Sequence, residues 1–302
     1  MHIKSRIDKI VNSEAIIADK PSHTPIVSVV MSVYNAERYL RKSVESILNQ
    51  AFKDFEFIII NDGSTDSSPK IIDEYAISDK RIVVIKNPSN LGLSRSLNIA
   101  LENTKGDFVA RMDADDISLP ERLERQVGFL KENSSYGLIG SAYIEINDKG
   151  DIIGNQRIEF LETDEDIKKR IVGFNPFLHS GVMFKKEVQN CIGFYNDKFK
   201  YAQDYEFWIR IMTRYKVRNL PEVLLHKRYS NSMISVNKEK TQRFYAVKAK
   251  IRAIKLLNMP FGKSVYLLSD LMFLMLPKSI INIIRAIKRQ KNIFCLIMHL
   301  QL

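Results

Sequence analysis

The sequence has few of the features that mark secreted, zinc-binding or membrane-spanning proteins. Its 302 residues include two cysteines, Cys191 and Cys295, which lie far apart in the chain. This usage predicts neither a disulfide scaffold nor a zinc site, and a reducing compartment is expected. The first 25 residues lack the apolar core of a secretory signal. No run of about 18 apolar residues occurs, so no membrane-spanning helix is expected.

Acidic residues are almost absent from the last fifth of the chain. Residues 240–302 contain 12 lysines and arginines against one acid, Asp270, whereas the rest of the chain has 34 basic and 34 acidic residues. Short apolar stretches between the basic residues predict helices that lie on an anionic membrane surface. The alternative is that these helices pack on the rest of the chain or on a second copy. No nucleic-acid partner is expected, because aliphatic rather than aromatic residues alternate with the basic ones.

Strand-like and helix-like patterns alternate before residue 118. Buried strands are predicted from the apolar runs at 26–33, 55–60, 81–86 and 108–112. Helices are predicted between them, at 36–50, 67–76 and 92–103. This alternation predicts an α/β fold whose mostly parallel, Rossmann-like sheet is flanked by helices. Residues 1–24 are interpreted as a leader of weak structure with one short helix over 3–17.

The second half of the chain shows a mixed pattern. Ser118 and Glu121 have the spacing of a capping box, which predicts a helix running to about residue 131. Strands are predicted at 136–146, 152–157 and 181–184, and once more after Pro221. Helices are predicted at 163–172, at 204–215 and in a basic C-terminal extension. The predicted domains are a leader at 1–24, a main domain at 25–235 with halves at 25–117 and 118–235, and a tail at 236–302.

Three carboxylates follow the fourth predicted strand. Asp113 and Asp115 point the same way from an extended chain, and Asp116 points the other way. Two like charges on one side favour a bound cation, and a hard divalent ion suits such oxygen ligands. A solvated acidic turn is the alternative. Polar clusters at 34–37 and 61–64 also follow strands, so all three could line one crevice at the carboxyl edge of the sheet.

Five blocks together resemble a known family. They read VVMSVYNAE at 29–37, INDGSTD at 60–66, NLGLSRSLN at 90–98, ARMDADD at 110–116 and AQDYEFWIR at 202–210. In this order and spacing, over roughly residues 26–230, the chain resembles the family 2 glycosyltransferases. The resemblance implies a GT-A fold and an inverting transfer of a hexose or N-acetylhexosamine from a nucleotide sugar, most often a UDP-sugar. It also implies a lipid-linked or polysaccharide acceptor in cell-surface glycan synthesis, with the enzyme peripheral on the cytoplasmic face of the membrane.

The resemblance implies roles for individual residues of the donor half. Val33 and Tyr34 would contact the uracil ring, and Asp62 would accept a hydrogen bond from its N3. Glu37 belongs to the same nucleotide-sugar-binding block. Arg95 would lie near the base or the diphosphate.

Further roles concern the metal ion and the acceptor half. Asp115 would bind Mn²⁺ or Mg²⁺ directly, Asp113 would contact the ribose and the metal shell, and His226 is a further candidate near the metal or diphosphate. Asp204 would be the general base, although Gln203 stands where relatives often carry a second acid. His179 and Trp208 are candidates for acceptor or sugar contact, and a core histidine is the alternative for His179.

Two other functions remain open from the sequence. One is a membrane-docked nucleotide-sugar-binding protein without catalytic activity, although the intact Asp113, Asp115 and Asp204 argue against it. The other is a sugar nucleotidyltransferase, which usually begins with a glycine-rich phosphate loop that the segment 32–35 lacks.

Overall fold

The computed structural model describes residues 15–16, 23–155, 160–229, 239–277 and 280. The strands are β1 (Ala15–Ile16), β2 (Val27–Val33), β3 (Phe55–Asn61), β4 (Ile82–Lys86), β5 (Phe108–Asp113), β6 (Ile117–Ser118), β7 (Tyr136–Ile146), β8 (Ile152–Asn155), β9 (Met183–Lys185) and β10 (Lys216–Arg228). The α-helices are α1 (Glu37–Leu48), α2 (Ser68–Ser78), α3 (Leu93–Glu102), α4 (Arg122–Glu132), α5 (Asp164–Arg170), α6 (Glu187–Ile192), α7 (Gln203–Met212), α8 (Glu239–Leu256) and α9 (Val265–Met275). Short 3₁₀ helices lie at His179–Gly181 and Phe261–Ser264.

The parallel half of the sheet contains β4, β3, β2 and β5 in that spatial order. Their register aligns Val30 of β2 with both Ile58 of β3 and Arg111 of β5. All seven residues of β3 are buried, which is expected for a strand covered by helices on both faces. The α/β prediction, with a helical C-terminal region, is therefore confirmed.

The other half of the sheet is mixed. Strand β9 lies antiparallel between β5 and β7, β10 runs parallel to β7, and β6 is antiparallel to β10. Strand β8 pairs with β7 as a hairpin whose turn contains Gly150. The sheet therefore continues without a break from the first half of the chain into the second.

The predicted capping box at Ser118 is wrong. Ser118 lies in β6 opposite Leu225, its hydroxyl accepts a hydrogen bond from Gln50 Nε2 at 3.1 Å, and helix α4 begins four residues later at Arg122. Long-range strand pairing therefore prevails over the local capping pattern. The N-cap position of α4 is Glu121, which makes no side-chain capping bond.

Three further boundaries differ from the predictions. Helix α7 ends at Met212 rather than at 215, because the chain enters β10 at Lys216. Strand β10 continues through Pro221, which lies where its register with β7 shifts between Leu220 and Val223. A proline is tolerated at such an irregularity because no ladder hydrogen bond is required of its nitrogen. Of the helix predicted over 3–17, only Ala15 and Ile16 are described, and they form a strand with β4.

Helix α8 packs on the body of the molecule. Ala249 and Ala253 are fully buried in the same hydrophobic core as Ile209 of α7. The Lys250 ammonium donates to Asp270 Oδ2 of α9 at 2.6 Å and to the Gly173 carbonyl at 2.7 Å. In the part of the chain that the structure describes, no helix is both long enough and apolar enough to cross a membrane.

The close approach of Gly106 to β2 gives a prediction about stability. A β-carbon at residue 106 would lie 2.6 Å from the backbone nitrogen of Ser28 and 2.7 Å from the carbonyl carbon of Val27. We expect Gly106→Ala to lower the free energy of unfolding by ~1–3 kcal/mol, because the backbone must shift to relieve this overlap. Urea denaturation would measure the change.

Gly128→Ala is the matched control for this experiment. Apart from its chain neighbours and the backbone of its own helix, no heavy atom lies within 4 Å of the corresponding β-carbon position, and Gly128 is inside α4. Alanine should therefore stabilise the protein by up to ~1 kcal/mol through helix propensity. Equal effects of the two substitutions would contradict the packing argument.

Candidate functional site

A cleft of about 750 Å³ opens at the carboxyl edge of the parallel strands. Four of the predicted site residues line it, namely Tyr34, Asp62, Asp113 and Asp115. They come from the ends of β2, β3 and β5, which lie side by side in the sheet. The prediction that the polar clusters share one crevice is therefore met for these strand ends. Tyr34 is half exposed, as a ring that is available to stack on a ligand would be.

Asp62 shapes the wall of the cleft. Its Oδ1 accepts hydrogen bonds from Leu91 N and Asn87 Nδ2, both at 2.8 Å, and its Oδ2 accepts one from Gly92 N at 3.0 Å. The side chain is almost fully buried. Asp62 thus fixes the loop before α3, which brings Asn90 and Gly92 to the cleft.

Glu37 joins two helix N-termini outside the cleft lining. Its Oε2 accepts a hydrogen bond from Ser67 N at 2.8 Å, and its own backbone N–H donates to Asp66 Oδ2 at 3.0 Å. The reciprocal pair satisfies N–H groups at the starts of α1 and α2 that would otherwise lack partners. The carboxylate therefore fixes the position of the 34–37 turn.

The acidic cluster forms as a compact group. One carboxylate oxygen from each of Asp113, Asp115 and Asp116 lies within 4.8 Å of the other two. Burial and the neighbouring negative charges raise the pKa values of Asp115 and Asp116. Three oxygen donors this close are unfavourable together as anions, so the cluster has the chemistry of a site for a hard divalent cation.

Asp116 is already bonded on both carboxylate oxygens. Its Oδ1 accepts from Arg228 N at 2.7 Å, and its Oδ2 accepts from the Ser180 hydroxyl. The fully buried Arg228 also donates from Nε to the Asp115 carbonyl at 2.9 Å, and its guanidinium lies 4.4 Å from the Tyr39 ring centre. These contacts tie the acidic turn to β10. Asp113 and Asp115 are therefore better placed than Asp116 to bind an ion from the cleft.

Arg111 is a buried cation beneath the acidic cluster. Only 1% of the residue is exposed, and Nη1 forms an ion pair with Asp113 Oδ1. The pair is close, yet Nε, Nη1 and Nη2 all lack a partner that meets hydrogen-bond geometry. The contact with Asp113 is therefore electrostatic, and the N–H groups of the Arg111 guanidinium make no hydrogen bond within the described part of the chain. The Asp113 charge helps to raise the pKa of the guanidinium against the opposing effect of burial.

Asp204 lies in the first turn of α7, outside the cleft lining. Its Oδ2 accepts a hydrogen bond from Asn175 Nδ2 at 2.8 Å. Burial raises the pKa of this carboxyl group, whereas the backbone N–H of Tyr205, the Asn175 amide and the charge of Arg111 act in the opposite direction. The charge of Arg111 thus lowers the pKa of Asp204 and also that of Asp115 in the acidic cluster.

His179 and Trp208 belong to an aromatic group next to Asp204. His179 Nε2 lies 2.9 Å from the Tyr195 hydroxyl, and burial together with Arg111 lowers the pKa of the imidazole. The imidazole is therefore neutral near pH 7. Trp208 is fully buried, with its ring centre 5.9 Å from that of His179. Trp208 thus packs behind His179 instead of presenting a surface to a ligand.

The remaining predicted residues lie outside the cleft lining. Val33 is fully buried at the end of β2, and Arg95 Nε lies 3.7 Å from Asp197 Oδ2 on the surface. His226 is paired with Ile117 between β10 and β6, and it is not part of the acidic group among the described residues. Burial lowers the pKa of His226.

Sequence reasoning missed several cationic residues of the site. Arg38, Lys227 and Arg228 line the cleft, and Arg111 lies beneath it. An arginine inside the apolar run 108–112 is a signal that could have identified Arg111. Lys227 and Arg228 directly follow His226, and this run of basic residues is a signal that could have identified both.

A family model supports the sequence resemblance, and so do relatives of similar length. The model described as glycosyl transferase family 2 matches residues 28–193. An uncharacterized glycosyltransferase of Methanocaldococcus jannaschii is 36% identical over 89% of this chain and 95% of its own length. The amylovoran biosynthesis glycosyltransferase AmsE of Erwinia amylovora is 33% identical over 76% of this chain and 85% of its own. The O-antigen biosynthesis glycosyltransferase WbnJ of Escherichia coli is 34% identical over 68% of this chain and 80% of its own length.

Solved structures share the fold at lower sequence identity. Residues 1–349 of S. aureus TarS in complex with UDP-GlcNAc superpose with a TM-score of 0.61 and 19% identity, covering 79% of this chain and 72% of that one. The mannosyltransferase PcManGT from Pyrobaculum calidifontis, in complex with GDP-Man and Mn²⁺, has a TM-score of 0.60 and 18% identity, with 80% and 68% covered. At these identities the likeness concerns the fold alone.

Proposed function

The chain belongs to glycosyltransferase family 2, and we propose that it moves a hexose or N-acetylhexosamine from a nucleotide sugar to a lipid-linked or polysaccharide acceptor in cell-surface glycan synthesis. The observation that carries this proposal is the compact group of Asp113, Asp115 and Asp116 beside the cleft. Relatives named for amylovoran and O-antigen biosynthesis support the class of product.

The donor lies in the cleft in this proposal. Tyr34 stacks on the nucleobase, and Val33 supports the strand end beside it. Asp62 contacts the base edge while it holds the loop before α3. We favour a UDP-sugar, and the neighbour complexes with UDP-GlcNAc and with GDP-Man make both nucleotides worth testing. Arg38 and Lys227 are two further cations at the cleft for the diphosphate.

Asp113 and Asp115 would hold Mn²⁺ or Mg²⁺. The fit rests on the close oxygen donors and on the raised pKa values of Asp115 and Asp116, which are caused by burial and then by the neighbouring negative charges. Such an ion, when bound, would neutralise charge on the leaving diphosphate. The role of the protein is to fix the carboxylates, which it does through Arg111 and through the Ser43 hydroxyl that donates to the Asp113 carbonyl at 2.7 Å.

Asp204 is the general base in the proposed reaction. Its carboxylate takes the proton from an acceptor hydroxyl as that oxygen attacks the anomeric carbon. The bond from the anomeric carbon to the diphosphate oxygen breaks, its electron pair stays with the nucleoside diphosphate, and the configuration inverts in one step. The base must be ionised to accept a proton. Because the pKa of Asp204 is raised, we expect activity to fall, as the pH is lowered, at a higher pH than the usual pKa of an exposed aspartate.

The α9 surface supports docking on an anionic membrane. This surface consists of exposed apolar residues of α9 and the preceding turn, namely Phe261, Val265, Leu268, Met272 and Met275. Residues 240–302, which include this surface, contain 12 basic residues and one acid. Apolar side chains among basic ones fit acyl chains beneath anionic headgroups. Such docking would place the cleft near lipid-linked acceptors on the cytoplasmic face.

The donor site can be tested by calorimetry. We expect one of UDP, GDP and dTDP to bind in the presence of Mn²⁺, and Asp115→Ala to lose that binding because one of two ion ligands is gone. Asp73→Ala, which removes a partly exposed ion pair with Lys86, should bind normally. Equal binding by Asp115→Ala would contradict the metal assignment.

The base can be tested separately from donor binding. Asp204→Asn should bind the nucleotide as the wild type does, but release of UDP or GDP from UDP-GlcNAc or GDP-mannose should fall roughly 100- to 10,000-fold, because general-base catalysis is lost. Asp73→Asn serves as the matched control. Normal turnover by Asp204→Asn would show that another group takes the proton.

Membrane docking can be tested with vesicles. The double variant Met272→Ser/Met275→Ser should bind phosphatidylglycerol vesicles roughly 10-fold or more weakly in co-sedimentation, since each methionine loses buried apolar area. Ile77→Ser, an equally exposed apolar residue of α2, should leave binding unchanged. The anionic-surface proposal would be wrong if the wild type did not sediment with phosphatidylglycerol vesicles, or if it sedimented equally well with neutral ones.

A further inference from the structure

The loop at 171–178 is fixed by side chains although it has no regular secondary structure. Its backbone carbonyls at Ile171 and Gly173 accept from the Tyr205 hydroxyl and from Lys250 Nζ, the latter at 2.7 Å. The carbonyl of Pro176 accepts from Asn219 Nδ2 at 3.1 Å. Three elements, α7, α8 and β10, therefore fix the loop from different sides. These contacts on both sides of residue 175 fix the backbone position of that residue.

Asn175 lies in the middle of this loop and contacts Asp204 directly. Its Nδ2 donates to Asp204 Oδ2 at 2.8 Å, and its Oδ1 accepts from the backbone N–H of Phe177 at 3.2 Å. The Phe177 N–H can only donate, so it requires the oxygen of the amide on its side. The amide orientation is thereby determined, and the NH₂ group faces the carboxylate.

We propose that Asn175 is a positioning residue that holds the Asp204 carboxylate in a fixed direction and in its ionised form. This inference rests on the proposed role of Asp204 as general base. A hydrogen bond from a neutral amide restricts the rotation of a carboxylate, and it stabilises the anion without supplying a competing proton. Asn175 thus makes the base ready for the acceptor hydroxyl without touching the reacting atoms.

Other groups act on the same carboxylate and must be considered with Asn175. Arg111 of β5 and the backbone N–H of Tyr205 favour the anion, as Asn175 does, whereas burial opposes it. Burial raises the pKa values of the Tyr195 and Tyr205 phenols, and the negative charge of Asp204 adds to this, so both stay protonated. Removal of Asn175 leaves Arg111 in place. The expected result is therefore a partial rise in the pKa of Asp204 and not a neutral carboxyl group at every pH.

The test compares Asn175→Ala with Asn133→Ala in the full-length chain. Asn133 is a partly buried asparagine at the end of α4, and its Nδ2 donates to the Phe129 carbonyl at 2.9 Å, so its removal costs one similar amide hydrogen bond far from Asp204. The carboxyl carbon of Asp204, assigned by its loss in Asp204→Asn, is titrated by ¹³C NMR. Turnover is followed as release of UDP or GDP from UDP-GlcNAc or GDP-mannose, with water as acceptor.

We expect the Asp204 carboxyl to titrate at higher pH in Asn175→Ala than in the wild type. Near neutral pH, kcat should fall roughly 10- to 100-fold, the range for a hydrogen bond to a charged group, with KM for the donor unchanged. The acid limb of the pH profile should move upward, since the protonated fraction of the base grows. Asn133→Ala should change neither the titration nor kcat.

An unchanged Asp204 titration in Asn175→Ala would overturn the positioning role, whatever the turnover. Unchanged kcat in Asn175→Ala together with inactive Asp204→Asn would also overturn it, while the base assignment would stand. Normal turnover by Asp204→Asn would contradict the assignment of Asp204 as the base. That result is independent of the Asn175 variant, so it distinguishes a failure of the proposed function from a failure of the positioning role.

Discussion

The site depends on one buried positive charge. Arg111 comes from the strand that also ends in the acidic cluster, and its side chain forms an ion pair with Asp113. Its charge lowers the pKa values of Asp115 and Asp204, which burial raises. Without such a counter-charge, carboxylates in poorly solvated positions would be too costly to keep ionised. Strand β5 and the turn that follows it therefore supply both the acidic cluster and a positive charge that stabilises it.

The position of β5 is set where the two halves of the sheet meet. The fully buried Arg122 donates from Nη2 to the Arg111 carbonyl at 2.7 Å and to the Val182 carbonyl at 3.2 Å, and Arg111 N donates to the same Val182 carbonyl at 3.0 Å. These bonds fasten the parallel half to β9, the first antiparallel strand. Val182 directly follows the 3₁₀ helix that contains His179, and the His179 ring packs in the aromatic group beside Asp204. The strand that precedes the acidic cluster is thereby joined to the segment that carries His179.

The sequence predicts the donor half well because its signals are local. Apolar runs mark the strands, and the ends of neighbouring parallel strands must share one edge, which brings Tyr34, Asp62, Asp113 and Asp115 together. The rest depends on pairings between distant segments. Ser118 forms part of a strand instead of capping a helix because β10 returns beside it, and β10 also brings Lys227 and Arg228 to the cleft. No pattern within a short window contains that information.

Some of the basic residues of the tail form ion pairs within the molecule. The excess of basic residues after 239 predicts an anionic partner, yet part of that charge is used inside the molecule. Lys250 pairs with the buried Asp270, and Arg252 lies 3.2 Å from the buried Glu206, two residues beyond the proposed base. Helix α8 therefore supports α7 electrostatically as well as by packing. The boundary between a main domain and a tail at residue 235 stays a prediction from composition, and the contacts of α8 place this helix against the helix that carries Asp204. Arg243 is a third such basic residue of the tail, because its Nη1 lies 3.1 Å from Asp270 Oδ1. The proposed docking on a membrane therefore cannot rest on the net charge of the tail as a whole.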